Sequence, residues 1–396
     1  MKKLHLVLLF SAFCQVCFSQ TQPTFSWSSK HYQVLSTESE IRAMEISQKM
    51  EAALALFNEL FHVDLEKLPA KLRVQIFAEK KDFDTYLQSV LSETRKDFVF
   101  LSYSDANRNE LVGFKREGAD FNSSLLHYGF IQYIHAAVPA TPLWLEEGLA
   151  AYLENSPYDS NRETFTWRPN YLWLDSLKAI LRNPEGRQLA IGELITMDKA
   201  SAQQRIDVFY PTAWGLVAFL MSSPDKRVNR ILWDAIAALE PGVSLAENSQ
   251  RVRDRAFAWF KQEELQKLFS DAILSLKTFN DFVKEGIDLY SARKTAEAES
   301  SFKKALELQQ DSYLPYYYLG LISYERKQYQ DAAQYYDRAQ DLGIDRALIQ
   351  YALGINAFAD KKYDLAGQYL RQAKSLDEKT YAEKVDSLLK RIEVLK

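Results

Sequence analysis

The sequence predicts an α+β N-terminal domain with a helical lobe, followed by an all-α superhelix. Three observations carry that prediction. In the first third, short runs of alternating apolar and polar residues stand between longer amphipathic runs. Helical periodicity then dominates to about residue 279. Beyond that point the same residue types return every 34 positions. Composition agrees: 13 glycines and 11 prolines in 396 residues favour helices over a turn-dense all-β fold, and 47% hydrophobic content indicates a globular chain.

Residues 1–19 read as a signal peptide. Lys2 and Lys3 supply a positive start, an apolar run reaches Phe18, and Cys17 and Ser19 are small residues ahead of a cleavage before Gln20. Phe13 and Val16 stand where a lipidation signal needs a small residue, which argues against a lipoprotein. The expectation is an exported bacterial protein, periplasmic or extracellular, with no transmembrane segment. Both cysteines, Cys14 and Cys17, fall in the removed segment, so the mature chain would have neither disulfides nor thiolate metal sites. A net charge of −4 and the lack of a basic stripe with interleaved aromatics give no reason to expect nucleic acid.

In chain order, His31–Leu35 and Leu72–Phe77 alternate as half-buried strands do. Phe98–Tyr103 and Glu110–Phe114 read as two more, joined by the turn-rich Ser104–Asn107. Glu38–Phe61 is a long amphipathic helix with its cap near Ser36 and Thr37. A second helix carries His127 and has Asp120, Asn122 or Ser123 as candidate caps. From Glu154 to Phe279 the pattern is helical, with breaks expected near Pro157, Pro169, Pro184, Pro211 and Pro241.

The C-terminal third repeats with a period of 34. Gly286, Gly320 and Gly354 are in phase; so are Tyr290, Tyr324 and Phe358, and Ala298, Ala332 and Ala366. Phe302, Tyr336 and Leu370 follow the same period, as do Ala305, Ala339 and Ala373. Small residues at helix crossings with large ones between them make the tetratricopeptide pattern, in which helix pairs stack because none can bury its own apolar face. Three repeats are expected over 279–380, at 279–312, 313–346 and 347–380, with a charged capping helix at 381–396. The helix Ala256–Lys277 is a candidate N-terminal cap for the first unit, because Glu285 weakens that unit's apolar face.

The remaining motif lies between Leu125 and Glu154. His127-Tyr128-Gly129-Phe130-Ile131 sits on one helix, and Trp144-Leu145-Glu146-Glu147-Gly148-Leu149-Ala150 begins the next. This stretch resembles the gluzincin branch of zinc peptidases, and the order of elements over about 28–275 is similar to a peptidase MA-like domain. The resemblance implies a zincin-like fold. There the first helix carries H-E-x-x-H, whose histidines bind zinc and whose glutamate activates water, while a glutamate of the next helix is the third ligand. Carried over, His127 and Glu147 are vestigial metal-ligand positions. Ile131 stands at the lost ligand and Tyr128 at the general base. Trp144, Glu146 and Tyr210 are candidates for the wall of a groove.

Catalytic zinc normally needs three protein ligands and a water, and Ile131 offers no lone pair. His135, two turns beyond His127, lies roughly 12 Å away along the helix by the helical rise. A phenol with an ordinary pKa of about 10 is a poor base at neutral pH. The sequence therefore points to a site with no catalytic residue, no metal and no cofactor. By itself, a lone histidine on an apolar helix is more often a hydrogen-bonded core residue than a ligand. The reading is a pseudo-metallopeptidase joined to a repeat module, binding peptide or protein partners through the repeats and the vestigial groove. The alternatives are an active zinc-dependent peptidase with an unusual site, and an adaptor whose N-terminal domain is purely structural.

Overall fold

The computed structural model describes residues 25–68, 70–116, 118–183 and 188–395. The proposed signal peptide and Pro184 lie outside them. The chain divides into two compact units. One comprises the N-terminal part as far as Asn170 together with Leu189–Glu264; the other comprises Tyr171–Gln188 and Leu265–Lys396.

The first unit opens with β1 (Phe25–Ser28), β2 (Tyr32–Ser36), α1 (Glu40–Phe61), β3 (Leu72–Phe77), α2 (Lys80–Leu91), β4 (Val99–Leu101) and β5 (Glu110–Phe114). Among the described residues these strands form a five-stranded sheet in the order β1-β2-β3-β5-β4. The β2–β3 and β3–β5 pairs are parallel, and β1 and β4 are antiparallel at the two edges. All five residues of β5 are buried, whereas β2 buries Tyr32, Val34 and Ser36 in alternation. β3, the central strand, is parallel to both its neighbours and buries every residue but Arg73, as a strand covered on both faces does. The cap of α1 is Ser39, whose hydroxyl accepts from the Arg42 N–H at 3.1 Å; Ser36 and Thr37 lie before it.

Two helices then carry the motif, α3 (Ala119–Ala137) and α4 (Leu143–Leu153). Gly118, at φ 72°, precedes α3, so the expected caps Asp120, Asn122 and Ser123 lie inside its first turn and a half. A left-handed turn at that point suits glycine, which has no Cβ to clash. A two-stranded hairpin follows, β6 (Tyr158–Asp159) and β7 (Thr164–Phe165). The next helix, α5 (Leu174–Arg182), belongs to the second unit. The first unit closes with α6 (Ile191–Leu194), α7 (Lys199–Gln204), α8 (Ile206–Ser222), α9 (Lys226–Ala238) and α10 (Leu245–Ala256). Pro211 does not break the chain as expected but lies inside α8. It sits in the second turn, where it forfeits a single helical bond and the buried apolar helix continues. Gly148 lets α4 approach α8 closely: a Cβ there would stand 2.6 Å from the Ala213 carbonyl oxygen.

The second unit is helical throughout its described residues. With α5 it holds α11 (Gln262–Ser275), apart from that helix's first residues, and then α12 (Phe279–Ser291), α13 (Thr295–Leu308), α14 (Tyr313–Glu325), α15 (Tyr329–Asp341), α16 (Arg346–Ala359), α17 (Tyr363–Leu376) and α18 (Glu378–Leu395). The continuous helix expected over Ala256–Lys277 is instead interrupted between Ala256 and Gln262. Three antiparallel pairs, α12/α13, α14/α15 and α16/α17, repeat one packing device. A Cβ added to Gly286 would lie 2.6 Å from the Phe302 ring, and one on Gly354 2.8 Å from Leu370; Gly320 faces Tyr336 in the same way. Phe302, Tyr336 and Leu370 are all buried. Between the helices of each pair, Arg293, Lys327 and Lys361 take up the left-handed conformation at φ 59–62°. The N–H of the next residue then bonds back to Leu289, Ser323 or Ala357, closing the helix.

At the head of this unit Thr278 and Asp281 form a reciprocal cap on α12. Lys178 of α5, its side chain only 6% exposed, donates to the Leu276 carbonyl at 2.6 Å and pairs with Asp281 at 3.2 Å. Lys178 thereby ties α5 to the junction of α11 and α12.

Candidate functional site

The site is built by α3 and α4 of the first unit. His127, Ile131 and His135 are four apart and share one face of α3. On α4, Glu147 and Glu154 are seven apart, two turns along one stripe. His127 stands between them. Its Nδ1 lies 2.7 Å from Glu154 Oε2 and its Nε2 3.2 Å from Glu147 Oε2. Asn170 fixes Glu154 from behind, donating Nδ2 to Glu154 Oε1 at 2.8 Å and to the Ala151 carbonyl at 2.7 Å.

An imidazole that gives a hydrogen bond from each ring nitrogen is the protonated form. Electrostatics agree. Burial works against the charge, but hydrogen bonds and attraction from Glu147 and Glu154 outweigh it and push the His127 pKa up to about 10. At neutral pH the group is an imidazolium held between two carboxylates.

The other motif residues are arranged around it. The Tyr128 ring meets the His127 ring edge to face at 4.9 Å. Burial, then the charges of Asp97 and Glu147, push the Tyr128 hydroxyl above the usual phenol range, so it stays protonated. Ile131 is buried, 6% exposed. Glu146 turns to the other histidine, with Oε2 at 2.8 Å from His135 Nε2. Burial raises the Glu146 pKa, and His135 pulls against that shift. Trp144 is a core residue with no exposed surface, its ring edge-on to Phe257 at 5.8 Å. Tyr210 lies within α8; its pKa is raised by burial and then by the charges of Glu147 and Glu146, so its hydroxyl stays protonated.

Sequence reasoning placed His127 and Glu147 together and missed Glu154 and Asn170. The seven-residue step from Glu147 was a usable signal for Glu154, since it puts both on one helical face. Asn170 comes from an irregular segment, and nothing local to it announces the contact. The zinc of the resembled family does not fit these residues. Both nitrogens of His127 are engaged by carboxylates, its protonated ring has no lone pair to give, and Ile131 adds none. Among the described residues no three His, Cys, Asp or Glu side chains are grouped as a metal site requires.

Against known families, the repeat unit alone gives a match. Antiparallel helix pairs with a 34-residue period define a helical repeat protein, and a tetratricopeptide repeat family model matches residues 283–347. No curated protein matches the chain. Repeats of this class suggest a protein-binding or scaffolding role. Among the described residues no single helix is long and apolar enough to cross a membrane.

Proposed function

We propose that this chain is an exported, non-catalytic binding protein: a pseudo-peptidase domain that holds a peptide or protein segment without cutting it, joined to repeats that dock a protein partner. One observation carries the reading. The position that would present a metal-bound water instead presents an imidazolium locked by Glu147 and Glu154, flanked by a protonated phenol at 128 and an aliphatic side chain at 131. Neither Tyr128 nor Ile131 can activate water or take its proton at neutral pH, and the carboxylates of Glu147 and Glu154 are both engaged by His127. The sheet with parallel centre and antiparallel edges, followed by α3 and α4, supports a zincin-like ancestry for the first unit.

The test is retention without cleavage. The full mature chain, with and without added zinc, is incubated with a mixed peptide library, and both retained and newly formed peptides are identified by mass spectrometry. The expected result is retained peptides of unchanged length. New fragments that disappear in His127→Ala would overturn the reading in favour of the peptidase alternative.

A further inference from the structure

Next to the His127 brace, at the C-terminal end of α4, stands a guanidinium without a counter-ion. Arg168 gives one hydrogen bond to protein, from Nη2 to Asn155 Oδ1 at 3.2 Å, and no carboxylate of the described residues lies within ion-pairing distance. Its Nε is buried with no acceptor. Asn155 is held in the accepting orientation because its own Nδ2 donates to the Pro169 carbonyl at 3.1 Å. The partial negative charge at the end of α4 steadies the cation but supplies it with no second acceptor. Leaving a half-buried guanidinium singly bonded is costly, and an anion on its Nη groups would offset part of that cost.

A second observation adds an aromatic surface. Trp167 is 41% exposed, and its ring leans on Tyr152 at 5.3 Å with 31° between the planes. Tyr152 is buried in the last turn of α4 and Asn155 lies two residues past its end. The contacts of Trp167 with Tyr152 and of Arg168 with Asn155 therefore fall at the same end of that helix. Glu154, next to Asn155 in sequence, is already engaged by His127 and Asn170 and does not pair with Arg168.

We propose that Arg168 and Trp167 form a binding site for a carboxylate carried beside an aromatic ring. The carboxylate takes the open edge of the guanidinium and the ring stacks on the indole. Such a group is found at the C-terminus of a peptide ending in an aromatic residue, and in a free aromatic acid. The site extends the binding reading above by giving the bound segment an end and a polarity.

Isothermal titration calorimetry of the full mature chain tests this with three probes: N-acetyl-phenylalanine, its amide, and a hexapeptide with a free C-terminal phenylalanine. The acid should bind at least tenfold more tightly than the amide. Arg168→Gln should abolish that preference, Arg168→Lys should keep only part of it, and Trp167→Ala should weaken the acid several-fold. A hexapeptide that binds more tightly than the acid identifies a peptide end as the source; equal affinity shows that carboxylate and ring are the whole ligand. Equal binding of acid and amide, an unchanged preference in Arg168→Gln, or no saturable binding of any probe would overturn the proposal. Those outcomes leave the retention test untouched, whereas cleaved library peptides would sink the non-catalytic reading and not this site.

Discussion

The repeat unit and the α3–α4 site solve one problem, holding two helices together, by opposite means. In the repeats each pair is closed by a large side chain seated on a glycine, and the device is used three times at Gly286/Phe302, Gly320/Tyr336 and Gly354/Leu370. In the site the two helices are joined by polar contacts, His127 between Glu147 and Glu154 and His135 against Glu146. Apolar packing draws on area and shape and is insensitive to pH. The charged brace depends on a single proton. The contrast shows that the same chain entrusts its repeats to packing and its α3–α4 site to electrostatics.

The comparison breaks most readily at the packing end. Tyr336→Ala should empty the seat on Gly320 and cost about 3–5 kcal/mol, the usual loss for a large buried aromatic. Gly320→Ala should also destabilise, although alanine normally favours a helix, because its Cβ has no room beside Tyr336. Denaturant melts of the full chain measure both; a gain in stability for Gly320→Ala would show that the helices are not held at that spacing.

At the charged end, His127→Ala leaves two carboxylates facing each other and should cost about 2–4 kcal/mol, less than for a fully buried pair because each group keeps some exposure. The sign of its pH dependence follows from the raised pKa. His127 contributes in full below its unfolded value of about 6.5, and the contribution is lost as pH rises toward about 10. Tyr128 and Tyr210 are shifted upward and stay neutral across that window. Thermal melts from pH 6 to 10 should therefore converge for wild type and His127→Gln. Parallel curves would show that His127 is already neutral.

Two smaller effects sharpen the contrast. Lys178→Met should cost about 1–2 kcal/mol by leaving the Leu276 carbonyl without its donor, even though Lys178 lies far from the repeats in sequence. Lys327→Gly should stabilise by up to about 1 kcal/mol, since glycine removes the strain of a left-handed residue between α14 and α15. A loss of stability for Lys327→Gly would mean that the side chain makes a contact worth more than the strain.

What could be read in the sequence follows from the same contrast. The repeats announce themselves because one physical constraint is written three times in phase. β3 and β5 were legible with the expected bounds, although β3 was read as an alternating, half-buried strand and is buried at every residue but Arg73. The cap of α1 was misplaced because Ser36, Thr37 and Ser39 are chemically equivalent candidates, and only the backbone of Ser39 places its hydroxyl on the Arg42 N–H. Pro211 was misread because proline's local penalty was outweighed by the burial of α8. The place of α5 in the second unit could not be read from pattern alone, since it is tied there by contacts distant in sequence, Lys178 to Leu276 and Asp281 and Asn280 to Asp175. In the site, His127 and Glu147 were visible as a spacing. Glu154 and Asn170, which decide the state of His127, act through contacts that no short motif encodes.

That a proton and not a metal occupies His127 is tested most directly by the zinc stoichiometry of the purified protein. Elemental analysis after purification without chelator should give far less than one zinc per chain, and Tyr128→Glu with Ile131→His, once shown to be folded, should raise it. One tightly held zinc per wild-type chain, lost on His127→Ala, would contradict the account.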